Sequence, residues 1–351
     1  MNNPNVLVIG NGFDLYHGLK TNYMDFVKFA VELSKSVKGT KGRKYALNNI
    51  FIQSFIKVAS ENQSWIDCEK EIEIIITMIL KILYDRNVFN NNSIVITKDK
   101  SSLYSYEFER LRLINKFCEK STSQTIIFSE KYFKVYQGID KSLIMDTLKR
   151  DLNDLIELFK YYLEENVLNQ SIEKLSKQIE SINPDYIINF NYTNTYEQYG
   201  INRQNVCYIH GSVQDSNMVL GIRDIDEKDI NSIYFKKFFQ RIQKHTDTIQ
   251  WDKFKSIVST RPIRFREDGE WYENVKYNKA FTYFFGHSLS NTDGDLIRNI
   301  YENSEAIMIF YLEKPDYKDY ERKVINLIDT LGKEIVIQGM YSRKIVFIPI
   351  E

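Results

Sequence analysis

Lys+Arg 47 against Asp+Glu 47 leaves the chain with no overall field to attract a polyanion, so nucleic acid is not an expected partner. Across 351 residues, 43% hydrophobic and 27% charged residues exclude a disordered chain and suit one large α/β domain or a domain with a sizeable insertion. Cys68, Cys118 and Cys207 lie far apart with no C-x-x-C pair, which speaks for a reducing compartment and against a zinc ribbon.

Asn2-Asn3-Pro4 stands before the first apolar run, too short for a signal h-region, and no run reaches membrane-spanning length. The expectation is a cytoplasmic protein without membrane contact. Val6-Leu7-Val8-Ile9 reads as a buried parallel strand that opens into Gly10-Asn11-Gly12-Phe13-Asp14. Glycines in such a turn let backbone approach a phosphate, with the N–H groups of the next helix facing the anion. The full dinucleotide fingerprint has a third glycine where Leu15 stands, so a tight strand-to-helix turn without a ligand is an equal reading.

Asn22, with Asp25 three residues on, resembles an N-cap for a helix carrying Phe26, Phe29, Ala30 and Leu33. From there to about Ile182 the pattern predicts helices with polar connections. A strong helix starts at Ser64 and a weaker one spans Leu103 to Cys118. A long amphipathic helix runs from Lys141 to Asn166, and the asparagine-rich Asn87 to Ser93 reads as a loop. This block is assigned a packing role.

Two further strands, Tyr186-Ile187-Ile188 and Val206-Cys207-Tyr208-Ile209, deliver polar residues at their ends: Asn189-Phe190-Asn191-Tyr192-Thr193 after the first, His210-Gly211-Ser212 after the second. Val219 to Ile222 is predicted as a short strand, Asn231 to Trp251 as a helix, and Arg261 to Arg266 as a surface loop. The last third alternates. Ala280 to Phe285 is a strand ending in Gly286-His287-Ser288-Leu289, followed by a helix over Asp293 to Asn303 and a strand over Ala306 to Leu312. A helix over Lys318 to Leu331 and strands at Ile335 to Ile337 and Ile345 to Ile348 complete it. Alternation of this kind predicts a mostly parallel, Rossmann-like α/β sheet over 1–35 and 183–351, interrupted by a helical insertion over 36–182.

Ligands of such sheets bind outside the carboxyl ends of the strands, which singles out Asn191, His210 and His287. Gly286-His287-Ser288 lacks the last glycine of a nucleophile elbow, since Ser290 stands there, and hydrolase-triad chemistry is set aside. Metal-ligand spacing is absent; Asp224, Asp226, Asp293 and Asp295 are either magnesium ligands or ordinary solvated carboxylates. A nucleotide site remains, with Gly10, Gly12 and Gly286 permitting close backbone approach, Asn191 supplying an amide and His210 a base.

Val8-Ile9-Gly10-Asn11-Gly12-Phe13-Asp14-Leu15, followed by His17-Gly18-Leu19-Lys20-Thr21, resembles the opening signature of the bacteriophage abortive-infection family AbiH. Ser64-Trp65-Ile66-Asp67-Cys68-Glu69, Asn189-Phe190-Asn191-Tyr192-Thr193, Ile209-His210-Gly211 and Phe285-Gly286-His287-Ser288-Leu289-Ser290 with Asp293 are similar to its later blocks, in the same order. That family in turn resembles sirtuin-like NAD-binding proteins, among them phage-defence NAD hydrolases.

The resemblance implies that the turn Gly10, Asn11 and Gly12 holds a dinucleotide, with Phe13 and Asp14 beside it and Asp14 either bonding a ribose hydroxyl or capping a helix, that Asn191 holds the nicotinamide ribose, and that His210 is the base. Gly286, His287 and Ser288, with Asp293, would close over the adenosine side. Thr193 stands where the sirtuin-like block has aspartate, and Asn189 where it has threonine. The implied activity is NAD hydrolysis in phage defence, with NAD as substrate or ligand, no cofactor or metal required, a phage component as trigger and assembly into a homo-oligomer. The alternative is a nucleotide-binding sensor that does not cleave.

Overall fold

Val6 to Ile9 are all buried to 1% exposure or less, and a strand with no polar face has to be covered on both sides. The computed structural model of the protein describes residues 3–35, 42–46, 48–61, 67–84, 95–98, 108–111, 116–134, 138–172, 175–222, 230–246, 252, 254–256, 258, 260–277, 279–313 and 318–350. In it, β1 (Asn5–Ile9) lies inside a six-stranded sheet with β2 (Tyr186–Asn189), β3 (Val206–Tyr208), β4 (Ala280–Phe285), β5 (Ser304–Leu312) and β6 (Ile345–Ile350). The spatial order is β3-β2-β1-β4-β5-β6 and every pairing is parallel. Strand order reverses between β1 and β4, and at such a switch point an α/β sheet leaves a crevice beyond the strand ends.

Side chains alternate across the sheet, as a period of two requires. Val6, Val8, Ile188 and Phe284 pack with Ile297 and Ile300 of α3 (Gly294–Glu302), Leu327 and Leu331 of α4 (Lys318–Leu331), and Val336 of α5 (Lys333–Tyr341). Leu7, Ile9, Ile187 and Phe285 pack on the other side with Phe13 of α1 (Asn11–Tyr16) and with Ile179 and Ile182 of α2 (Lys177–Ile182). On that second side His17 Nδ1 lies 2.6 Å from the Phe13 carbonyl and Nε2 2.6 Å from the Tyr199 hydroxyl. The Tyr199 oxygen accepts from the Ser176 N–H at 2.8 Å.

A carbonyl only accepts, so Nδ1 carries the proton and Nε2 accepts from Tyr199, which makes this histidine structural. Tyr199→Phe strands two of these partners. It is expected to lower the unfolding free energy by about 1–3 kcal/mol, read as a lower urea midpoint.

The chain divides into two compact units: Met1–Thr21, Leu168–Val219 and Arg241–Glu351 form the first, Asn22–Val167 and Leu220–Gln240 the second. A cut after residues 35 and 182 differs from this division by the helix Tyr23–Lys35 and residues 220–240, which belong to the second unit, and by residues 168–182, which belong to the first. The second unit contains the helices Tyr23–Lys35, Ile50–Glu61, Cys68–Tyr84 and Lys141–Asn166. The caps behave as their residue types dictate. Asn22 Oδ1 accepts from the Asp25 N–H at 2.9 Å and Asp140 Oδ1 from the Leu143 N–H at 3.2 Å.

This block is more than helices. Val95–Thr97, Thr125–Phe128 and Cys118–Ser121 form a small antiparallel sheet, and Phe133–Lys134 pairs with Gly138–Ile139. Ile126 and Phe128 are buried between half-buried neighbours, a two-residue alternation that the helical reading passed over. The helical start at Ser64, the loop Asn87 to Ser93 and most of Leu103 to Cys118 lie outside the described residues; Phe108–Leu111 is helical, whereas Cys118 begins a strand.

Four other expectations are corrected. Ile335-Val336-Ile337 belongs to helix α5, not to a strand: Val336 and Gly339 face inward, while Ile335 and Ile337 are exposed. Among the described residues Val219 to Ile222 makes one bridge, Ile222 to Lys236, and the Leu220 backbone is paired by the Gln240 side-chain amide instead of a neighbouring strand. Arg261 to Arg266 lies in a strand, Thr260–Glu267, hairpinned to Glu270–Tyr277. Asp268 and Gly269, both at positive φ (50° and 87°), make the two-residue turn that favours such a hairpin. The helix expected from Asn231 to Trp251 is a 3₁₀ segment, Ile230–Phe235, followed by an α-helix, Lys237–Lys244; residues 247–251 lie outside the described residues.

Candidate functional site

Four turns meet beyond the carboxyl ends of β1, β2, β3 and β4, all within the first unit. The turn after β1 is locked against the turn after β4. Gly10 N–H donates to the Phe285 carbonyl at 3.2 Å, Gly12 N–H to the Gly286 carbonyl at 2.8 Å, and Phe13 N–H to the Gly10 carbonyl at 2.8 Å. A Cβ on Gly10 would lie 2.7 Å from His287 Cα, and one on Gly12 would lie 2.8 Å from Gly286 Cα. These glycines therefore admit a second stretch of backbone, and the space beside them is filled by protein instead of being left for a phosphate.

Gly286 is the most constrained of the three. Its φ is +69° and a Cβ there would come within 2.0 Å of the Phe13 nitrogen. Gly286→Ala is expected to cost about 1–3 kcal/mol, seen as a lower urea midpoint.

Phe13, expected among the ligand-binding residues, is core. It has 0% exposure and its ring packs against His17, Tyr199 and Phe285. Asn11 and Ser288 are exposed, and Ser288 Oγ accepts from the Ser290 N–H at 3.3 Å.

After β2 the chain folds back on itself. Asn189 Oδ1 accepts from the Asn191 N–H at 2.8 Å and Asn189 Nδ2 donates to the Thr193 carbonyl at 3.0 Å, so one side chain shapes the whole turn. That turn aims Asn191 Nδ2 at the Gly10 carbonyl, 3.0 Å away, and tethers the second turn to the first. Asn191 Oδ1 makes no hydrogen bond to the protein among the described residues.

Thr193 and Thr195 close over Asp14. Thr193 Oγ1 donates to Asp14 Oδ2 at 2.7 Å and Thr195 Oγ1 lies 3.2 Å from Thr193 Oγ1. Asp14 Oδ1 is buried with no hydrogen-bond partner among the described residues. Burial raises this carboxyl from 3.8 to about 6, opposed in part by the Thr193, Thr195 and Asn191 side chains.

His210 follows β3, and its backbone is fixed by the Val219 N–H, which donates to its carbonyl at 2.8 Å. Gly211 has a φ of +73° and a Cβ there would lie 2.3 Å from the Asn217 carbonyl oxygen, so the turn carrying His210 cannot relax past Asn217. His210 Nε2 lies 3.0 Å from Asp293 Oδ1, both side chains being nearly buried. The carboxylate accepts, so Nε2 bears the proton, and Nδ1, with no hydrogen-bond partner among the described residues, keeps its lone pair. Asp293 was expected with the adenosine-side residues; in the structure it orients the imidazole.

Phe190 stands between the two histidines of the site. Its ring centroid is 5.4 Å from that of His210 and 4.3 Å from that of His287. His287 Nδ1 accepts from the Leu289 N–H at 3.0 Å, so that ring holds its own turn together. The carboxylates weighed as magnesium ligands face protein groups where they are described: Asp293 meets His210, and Asp295 accepts from Arg241 at 2.6 Å. Asp224 and Asp226 lie outside the described residues, and among the described residues no three His, Cys, Asp or Glu side chains converge as a metal site.

Sequence reasoning brought Asn191 and His210 to the same end of the sheet, as found. It missed the Asp14–Thr193–Thr195 cluster and the Asp293–His210 pair, whose members lie 179 and 83 residues apart, so that no local spacing announces them. Among the described residues no helix is long and apolar enough to cross a membrane. No curated protein and no solved structure matches the chain. A family model described as Bacteriophage abortive infection AbiH matches residues 6–311, a span that includes all four turns.

Proposed function

Because this chain belongs to the bacteriophage abortive infection AbiH family, we propose that it serves phage defence by hydrolysing NAD at the nicotinamide–ribose bond. The observation that carries this reading is the His210–Asp293 pair, 3.0 Å apart at the carboxyl ends of the strands beside the β1/β4 switch point. In the proposed step His210 Nδ1 takes a proton from the attacking water as its oxygen bonds to the ribose carbon and nicotinamide leaves. Asp293 holds the ring in the tautomer that can accept it and offsets the charge that forms. Asn191, anchored through Nδ2 to Gly10, offers Oδ1 to the water or a ribose hydroxyl.

Where the sirtuin-like pattern has aspartate this chain has Thr193, and the carboxylate it touches is Asp14 from the turn after β1. A negative charge beside an oxocarbenium-like ribose stabilises it, so Asp14 supports the reading without being the base. The glycine turns serve it differently from a phosphate cradle, by fixing the two turns that carry Asn191's anchor and Asp293.

Purified full-length protein incubated with NAD and followed for nicotinamide release tests the proposal. Release by the wild type and its loss in Asn191→Ala is the expected result. Binding of NAD with no nicotinamide released by the wild type overturns cleavage and leaves a nucleotide-binding site. Metal-dependent cleavage of nucleic acid that survives Asn191→Ala and His210→Ala overturns both.

A further inference from the structure

Helix α4 presents three side chains to three consecutive carbonyls of the turn after β4. Lys323 Nζ donates to the His287 carbonyl at 3.1 Å, Asn326 Nδ2 to that of Ser288 at 2.8 Å, and Thr330 Oγ1 to that of Leu289 at 3.1 Å. Spacings of three and four residues put all three donors on one helix face. We propose that this face is a positioning device for the His210–Asp293 pair, fixing the backbone from which Asp293 reaches the imidazole.

The turn needs holding. Leu289 is fully buried with φ at +59°, a left-handed conformation that a leucine keeps only when its surroundings over-determine it. Asp293 follows within four residues, through an Asp293 N–H that donates to the Ser290 carbonyl at 3.2 Å. Arg298 adds a second strut. Its Nε donates to the Thr330 carbonyl at 2.9 Å and its Nη2 lies 3.3 Å from Asn291 Oδ1, so α4 is tied to the segment both before and just ahead of Asp293.

Lys323 argues that the clamp is more than packing. It is 4% exposed, and burial lowers its ammonium pKa against the pull of Asp319, 3.4 Å away. An apolar side chain would fill that place without the desolvation cost, so stability alone does not explain a cation there. These three donors lie beyond the residues that the family model matches.

The inference rests on the proposed role of His210 as the base, but its test uses no substrate. Proton NMR of the full chain reads the hydrogen-bonded His210 Nε2–H, identified by its loss in His210→Gln. In the wild type it is expected to exchange slowly with solvent. In Lys323→Met combined with Thr330→Val, exchange is expected to rise about tenfold or more beyond what any fall in the urea midpoint accounts for, and Thr330→Ser, which keeps the hydroxyl, is expected to retain slow exchange.

Should the double variant fail to fold, Asn326→Leu at its half-buried position gives the same reading. Unchanged exchange in a folded variant that has lost these donors overturns the proposal. So does a rise in exchange that only follows a drop in global stability. Absence of NAD cleavage by the wild type would sink the proposed reaction and leave this measurement standing.

Discussion

His210→Ala is expected to slow nicotinamide release by about 10²- to 10⁴-fold, the range a positioned general base supplies. The loss should fall on kcat more than on KM, because Nδ1 acts on the proton transferred in the transition state and not on the bound ground state. Asp293→Ala should lower kcat by a smaller factor, since the imidazole survives while its orientation, set by a 3.0 Å contact to Nε2, does not. Steady-state rates with NAD for the two variants and the wild type check this. Equal rates for His210→Ala and wild type would remove His210 from the reaction.

Asp14→Asn is expected to stabilise the protein at neutral pH by up to about 3 kcal/mol, roughly what it costs the fold to ionise a carboxyl whose pKa is raised from 3.8 to about 6. The sign follows from the carboxyl's raised value. Its pKa is 3.8 when unfolded and about 6 when buried in the fold, so its protonated form is the one the fold favours. Its contribution is fully present below pH 3.8 and is lost as pH rises through about 6. Above that a carboxylate remains buried with Oδ1 unpartnered among the described residues.

Asparagine keeps the shape and an acceptor for Thr193 without the charge. The urea midpoints of the two proteins should converge near pH 4 and separate as pH rises toward 7. Parallel profiles would show that Asp14 does not titrate as its burial implies. A wild type less stable at neutral pH than its own variant retains a charge that the fold does not need, as expected of a working group.

The sequence by itself determined the strands and helices whose local pattern allows one answer. Val6 to Ile9 is too apolar for anything but a doubly covered strand, and the helical period of Lys318 to Leu331 matches a helix in the structure. The alternation of such segments in the last third set the parallel sheet, and the polar residues at the strand ends marked the site. Asp268-Gly269 carries the turn signal of a hairpin, which the reading of Arg261 to Arg266 as a surface loop overlooks.

Tertiary structure decided the rest, because the deciding partners are remote in sequence. Ile335-Val336-Ile337 suits a strand by composition, yet the edge beside β5 is taken by β6, and what remains for it is a helix with Val336 inward. A β3-β2-β1-β4-β5-β6 order cannot be read from alternation alone, since the same units wind to either side of β1. His210 meets Asp293, and Asp14 meets Thr193, only after the turns of β1 to β4 are brought to one end of the sheet. Local sequence fixes backbone preference through sterics and apolar period, whereas hydrogen bonds across 83 or 179 residues exist only once the chain has closed those loops.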